Sequence, residues 1–220
     1  MKSFILSAAV ALFAATTAQA ITWDWQDVAT NGAATGQVTL DTALDRTKGF
    51  ALQMTITVTA VPESMDNSNW WPALISLGTS DHNTANLTVN MTETDGIRLD
   101  TKSGDTGSTQ TKVVPSPVTK LTTGTHTVML AYADGTLTLT YDGNVLASTA
   151  YTLTYDPNLV AWGQQAGYPN QTTLNANNQF QYTIDSLRVG VGSADPLPEP
   201  TALALLAQGV AGVALRRRVA

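Results

Sequence analysis

The chain of 220 residues contains no cysteine. Disulfides and thiolate metal sites are therefore excluded, and stability must come from packing alone. Charge is scarce as well, at 13% Asp, Glu, Lys and Arg. Between residues 21 and 197 the basic side chains are Arg46, Lys48, Arg98, Lys102, Lys112, Lys120 and Arg188, while all of the 17 acidic residues except Glu199 fall there. That acidic balance argues against nucleic acid and against an anionic membrane surface as partners. It suits neutral glycans or bound cations. Glutamate is rare: Glu63 and Glu93 alone precede the tail, and of these only Glu93 has an acidic residue two positions away, Asp95. Glu93-Thr94-Asp95 before Gly96 reads as a turn, so the carboxylate pair of a glycosidase is not expected. There is no Gly-x-Ser-x-Gly elbow, no His-Glu-x-x-His motif, and His82 and His126 are the two histidines. No enzyme is expected. A helical period is also missing from the whole region between the two ends.

Both ends carry the apolar runs that the middle lacks. Lys2, the stretch Phe4 to Ala15 and the small-x-small triplet Ala18-Gln19-Ala20 form a signal peptide. Signal peptidase is expected to cut after Ala20, leaving a mature chain that begins near Ile21. At the other end, Pro198-Glu199-Pro200 precedes an apolar run from Ala202 to Leu215 and then Arg216-Arg217-Arg218. As a helix that run would span about 21 Å, short of a hydrocarbon core of about 30 Å. Three arginines behind it hold the terminus on the cytoplasmic side. This order of features resembles the PEP-CTERM sorting signal of Gram-negative bacteria. The resemblance implies recognition at Pro198-Glu199-Pro200 by an exosortase-type membrane transpeptidase. Removal of the tail and delivery to the cell surface or extracellular polymer layer would follow.

In the body, period-two patterns dominate. Phe50, Leu52, Met54, Ile56, Val58 and Ala60 alternate with Gln53, Thr55, Thr57 and Thr59, which predicts a half-buried strand over 50–60. Further strands are predicted at 37–40, 71–77, 86–91 and 96–100. A polar loop is expected over 103–110, and a meander over 127–133, 136–141 and 145–151. Asp134-Gly135 and Asp142-Gly143 supply its two tight turns. The last strand, 180–189, changes phase, so a bulge is expected near Asp185-Ser186. About ten to twelve short strands describe an all-β, antiparallel β-sandwich. The expected layout is residues 1–20 signal peptide, 21–190 sandwich, 191–197 linker and 198–220 sorting signal with its transmembrane helix.

Several segments in order resemble a concanavalin A-like or laminin G-like jelly roll. They are Pro72 to Gly78, Gly96 to Leu99, Gly124 to Val128, Asp134 to Gly143 and Ile184 to Gly190. The resemblance implies glycan binding, glycan cleavage or adhesion without choosing among them. Aromatics point toward binding. Trp70 and Trp71 follow a polar loop, and Trp162, Tyr168 and Asn170 fall in a stretch rich in Gly, Gln and Asn. A broad apolar ring face with a few placed polar groups is what a sugar site needs. For each tryptophan the competing reading is a plug for the sandwich core. Neighbouring strand residues point oppositely, so at most one of Trp70 and Trp71 faces out. Trp23-Asp24-Trp25 places both rings on one face, which reads as core. Asp81-His82-Asn83 offers oxygen ligands to calcium, but falls short of the six to eight that calcium takes. No other metal or cofactor is expected. The function expected is therefore an exported, surface-sorted, non-catalytic carbohydrate-binding protein; the alternative is a structural component of the surface matrix, and a glycosidase ranks below both. Substituting Pro198→Ala with Pro200→Ala should leave an uncleaved, membrane-retained form on fractionation, and normal release of that variant would contradict the transpeptidase assignment.

Overall fold

In the computed structural model, which describes residues 21–61, 73–80, 85–92, 96–103, 110–167 and 181–194, the alternation in Phe50–Ala60 becomes a strand at the centre of a sheet. Phe50, Leu52, Met54 and Ile56 are fully buried there and Val58 nearly so. Each such aliphatic or aromatic side chain contributes roughly 1.5–3 kcal/mol on leaving water. The first sheet runs, in spatial order, β1 (Ile21–Asp27), β12 (Gln181–Ala194), β3 (Phe50–Ala60), β8 (Gly124–Ala133), β9 (Thr136–Tyr141) and β10 (Asn144–Ala150). The second runs β2 (Gly36–Thr39), β11 (Leu159–Trp162), β4 (Ala73–Gly78), β5 (Ala85–Thr92), β6 (Gly96–Ser103) and β7 (Gln110–Val113). From β12 to β10 in the first sheet, and throughout the second, neighbouring strands pair antiparallel. No helix occurs among the described residues, and none there is long and apolar enough to cross a membrane. Thr22–Ser193 forms one compact unit.

One apolar cluster lies between the sheets. Met54, Leu130 and Leu139 come from the first, and Leu77, Leu87, Val89 and Leu99 from the second. The turns follow from their residues. Asp134 and Gly135 have φ of 49° and 70°, and Asp142 and Gly143 have 49° and 77°. Positive φ at both central positions gives the two-residue turn whose twist matches its strands. Ala133 pairs with Thr136 and Tyr141 with Asn144 accordingly. The register between β12 and β3 slips between Ile184 and Ser186, where the phase change lies. On the outer face of the first sheet, threonines pair across strands, with Thr57 Oγ1 3.0 Å from Thr125 Oγ1 and 2.7 Å from Asp185 Oδ2.

Three elements differ from expectation. Strand β7 emerges at the end of the stretch read as polar loop, and β12 continues to Ala194, into the stretch read as linker. Its Val191 packs against the core. Strand β11 was hidden because Leu159-Val160-Ala161-Trp162 does not alternate; all four residues are buried, as befits a strand covered on both faces. Gly36 on the neighbouring strand has the Trp162 indole directly over it, and an added Cβ would lie on that ring, 2.8 Å from Cε2. Gly36→Ala should therefore lower unfolding stability by about 1–3 kcal/mol in chemical denaturation, since an overpacked core forces side chains off their rotamers; an unchanged midpoint would show that the indole moves freely.

Candidate functional site

In a two-layer sandwich each sheet turns one face to the core and one to solvent. The second sheet departs from this, because every described residue of β4 and β5 is buried and so is each from Gly96 to Thr101. The side chains opposite the core are polar. Ser76, Thr88, Asn90, Arg98 and Asp100 are each no more than 2% exposed. Register explains how they meet: Ser76 pairs with Thr88, Thr88 with Asp100, and Asn90 with Arg98. Residues far apart in sequence thus form one array across three strands.

Two hydrogen-bonded groups make up the array. In the first, Ala166 N donates to Ser76 Oγ at 3.1 Å, Ser76 Oγ lies 2.9 Å from Thr88 Oγ1, and Thr88 Oγ1 donates to Asn86 Oδ1 at 3.0 Å. Because the Thr88 proton goes to Asn86, Ser76 must donate to Thr88. The segment from Gly163 to Gly167 is thereby fastened over the sheet, where Leu159, Ala161 and Ala166 make a small apolar cluster. In the second group three donors converge on a single oxygen. Asn90 Nδ2 reaches Asp100 Oδ2 at 2.6 Å, Arg98 Nη2 reaches it at 3.0 Å and Arg98 Nε at 3.3 Å. Asp100 Oδ1 and Asn90 Oδ1 are buried without any donor. An unsatisfied buried acceptor costs roughly 1–3 kcal/mol. Arg98 compensates the charge of Asp100 across a 3.0 Å ion pair.

Of the residues singled out from the sequence, the structure describes one of the ligand candidates. Trp162 is buried to 4% exposure and donates Nε1–H to Ala33 O at 3.0 Å. It plugs the core over Gly36 and offers no ring face to a ligand, which corrects its assignment to the site. Trp70, Trp71, Asn83, Tyr168 and Asn170 lie outside the described residues, as do Ala18, Ala20, Pro198, Glu199, Pro200 and Arg216 to Arg218. In the chain, Trp71 comes just before β4, Asn83 lies between β4 and β5, and Tyr168 follows the segment fastened by Ser76. Those candidates therefore connect to strands of the polar sheet. Trp23 and Trp25 depart from the core reading. Both are half-buried, 6.4 Å apart between ring centroids, and pack where Gly190 lacks a side chain. Arg188, itself bonded to Gln53 Oε1 at 2.6 Å, stacks 4.4 Å over Trp25. A glycine on the outer face of β12 makes room for rings that alternation alone would have sent inward.

Asn86, Thr88, Asn90, Arg98 and Asp100 escaped the sequence reading, although their signal is visible. Polar residues at every second position in two adjacent strands must share a face, and here they are hydrogen-bonding groups rather than mere solvent-facing threonines. His126 proves structural. Its Nδ1 lies 2.8 Å from Asp142 Oδ2, its Nε2 3.0 Å from Thr122 O, and its ring stacks 5.0 Å from Tyr141. Burial, then the charge of Asp142, pushes the Tyr141 hydroxyl up to about 12. No group of three or more acidic or histidine side chains is placed to hold a metal ion among the described residues.

No known family and no curated protein matches the chain. Among solved structures it is similar to galectin LEC-6 of Caenorhabditis elegans, at 9% identity over 75% of this chain and 94% of that one, with a TM-score of 0.45. It is also similar to the carbohydrate recognition domain of Emp47p, at 12% identity over 78% and 89% with a TM-score of 0.45. A carbohydrate esterase of the Shiga toxin-encoding bacteriophage phi24B is similar to the same degree, at 11% identity over 80% and 89% with a TM-score of 0.45. Likeness at this level assigns neither ligand nor reaction to this chain. The array itself is open to test. Asp100→Ala removes the ion-pair partner of buried Arg98 and should cost about 3–5 kcal/mol of stability, whereas Arg98→Met with Asp100→Leu should recover most of that loss; equal losses in the single and double variants would show that the pair is not isolated from water.

Proposed function

We propose that the chain is an exported, non-catalytic carbohydrate-binding protein whose glycan site is built on the polar side of the second sheet. The observation that carries this reading is the pair of buried, donor-less oxygens, Asn90 Oδ1 and Asp100 Oδ1. A sugar presents hydroxyls at fixed spacing, each able to donate to one such acceptor and to receive from a neighbouring N–H. A site whose polar groups are satisfied by ligand hydroxyls rejects molecules that lack them. The array holds one carboxylate, compensated by Arg98, and therefore binds without supplying the acid and base that hydrolysis requires. In this reading the jelly roll is of the concanavalin A-like kind, and binding needs no calcium.

The signal peptide and the Pro198-Glu199-Pro200 tail complete the proposal. The protein leaves through the inner membrane, is held by its tail, and is released by an exosortase-type enzyme to the cell surface or its polymer matrix. There it engages polysaccharide. A second reading, a structural component of that matrix with no small ligand, draws on the near-complete burial of the polar face.

A glycan array of the mature protein, run with calcium and again with chelator, separates the two. Binding to a class of neutral glycans is expected, unchanged by chelator, and weakened about ten-fold or more by Asn90→Ser, in line with the loss of a buried hydrogen bond. A thermal melt of the variant guards against simple unfolding. A blank array from folded protein would favour the structural role, and loss of binding in chelator would overturn the metal-free site.

A further inference from the structure

Where the edges of the two sheets meet, β1 and β12 on one side and β2 on the other, a cleft of about 460 Å³ opens. Its volume is within the range of small-molecule sites, roughly 300–1,000 Å³. The floor is aliphatic. Leu44 and Val189 are buried there, and Val28, Leu40 and Val191 pack against the core beneath. The wall formed by residues 41–48 is preformed. Leu44 N donates to Pro157 O at 2.7 Å, and Arg46 donates to Asp156 Oδ1 from both its backbone N and Nη1 at 3.1 Å. A cleft whose walls are already fixed loses little entropy on binding.

The rim selects by charge. Asp45 is committed: it accepts from Thr47 N at 2.9 Å and Thr47 Oγ1 at 2.6 Å, and Lys48 Nζ lies 3.8 Å from its other oxygen. Thr47 thereby holds the Asp45 carboxyl below the usual carboxylate range. Asp27 and Asp41 also line the cleft, both exposed, and neither side chain has a hydrogen bond or ion pair among the described residues. Two uncompensated carboxylates therefore stand over a broad apolar floor. A lone metal ion would leave that floor unused, and an anion would be repelled. A flexible lysine chain would fill little of the volume. A saturated ring fits all three conditions, with one face on the aliphatic floor, hydroxyls toward Gln26 and Thr39, and an ammonium at the carboxylates.

We infer that this cleft is a second binding site, which takes an amino hexose bearing a free, protonated amine within a polysaccharide. The inference shares the carbohydrate reading above but uses different residues, on a different edge of the fold. Attraction between exposed charges is modest and screened by salt, so the site recognises partly de-N-acetylated polymer at low to moderate ionic strength.

Calorimetric titration of the full chain with a glucosamine tetramer, and with its fully N-acetylated counterpart, tests this directly. The free-amine oligomer should bind at least ten-fold more tightly. Asp27→Asn with Asp41→Asn should weaken it about five- to ten-fold, as expected for two exposed charge contacts. Raising the salt should weaken wild type more than this variant. Ala43→Trp, at an exposed position lining the cleft, should abolish binding by filling it. Equal binding of the acetylated oligomer, no effect of the double neutralisation, or no binding at all would overturn the inference. Tight binding of a lysine tetrapeptide would also overturn it, in favour of a basic protein partner. Asp27, Asp41 and Ala43 lie outside the Asn90–Asp100 array, so these variants leave the glycan-array signal intact and the two readings can fail separately.

Discussion

With no cysteine in the chain, the sandwich depends on one contact, the apolar layer between its two six-stranded sheets. Met54, Leu130 and Leu139 on one side meet Leu77, Leu87 and Leu99 on the other. Their burial sets the register of every strand, since a slip of one residue would turn each strand's apolar row to the outside. Register in turn decides what the opposite face carries. Once Leu87, Val89, Ile97 and Leu99 point inward, Thr88, Asn90, Arg98 and Asp100 must share the outer side. The core thus builds the polar array as a by-product of its own alternation.

Such an array is costly to keep. A charge pair taken out of water gains from its mutual attraction only when its remaining lone pairs are also satisfied. Asp100 satisfies one oxygen three times over, from Asn90 and Arg98, and leaves the other without a donor. Leucine or methionine at these positions would give a sheet of comparable stability at similar volume. Retention of a half-satisfied network in a fold with no other staple is best understood as a site held ready for donors that arrive with a ligand. The cleft at the sheet edges works by the opposite logic, with an open mouth, an aliphatic floor and two carboxylates left in solvent. A polymer that carries both neutral hydroxyl faces and free amines would engage the two sites together, and linked engagement strengthens overall attachment well beyond either affinity.

How much of this was legible in the sequence depended on whether a residue's neighbours were local. Strand β3 and the β8–β9–β10 meander were legible because alternation and Asp-Gly turns are local rules. The bulge at Asp185 was legible because a phase change is local too. Strand β11 was not, since a strand buried on both faces carries no alternation. The outward position of Trp23 and Trp25 depended on Gly190, more than 160 residues away along the chain, and the burial of Trp162 depended on Gly36. Within the site, the polar alternation of 86–90 and 98–100 was visible, yet nothing local distinguishes a solvent-facing row from a buried hydrogen-bonding one. That distinction arises only in the tertiary structure, as where Ala166 N donates to Ser76 Oγ.

The central claim is that the outer face of the second sheet receives hydroxyl donors at Asn90 and Asp100. Carbon-detected NMR of the side-chain carboxyl and carboxamide groups reads those two oxygens directly while a glycan is titrated in. The account predicts saturable shifts at the Asp100 carboxyl and Asn90 carboxamide, with the Thr88 and Ser76 signals following and the carboxyls of the first sheet still. Saturable glycan binding that leaves both groups unmoved would contradict it and place the ligand elsewhere on the fold.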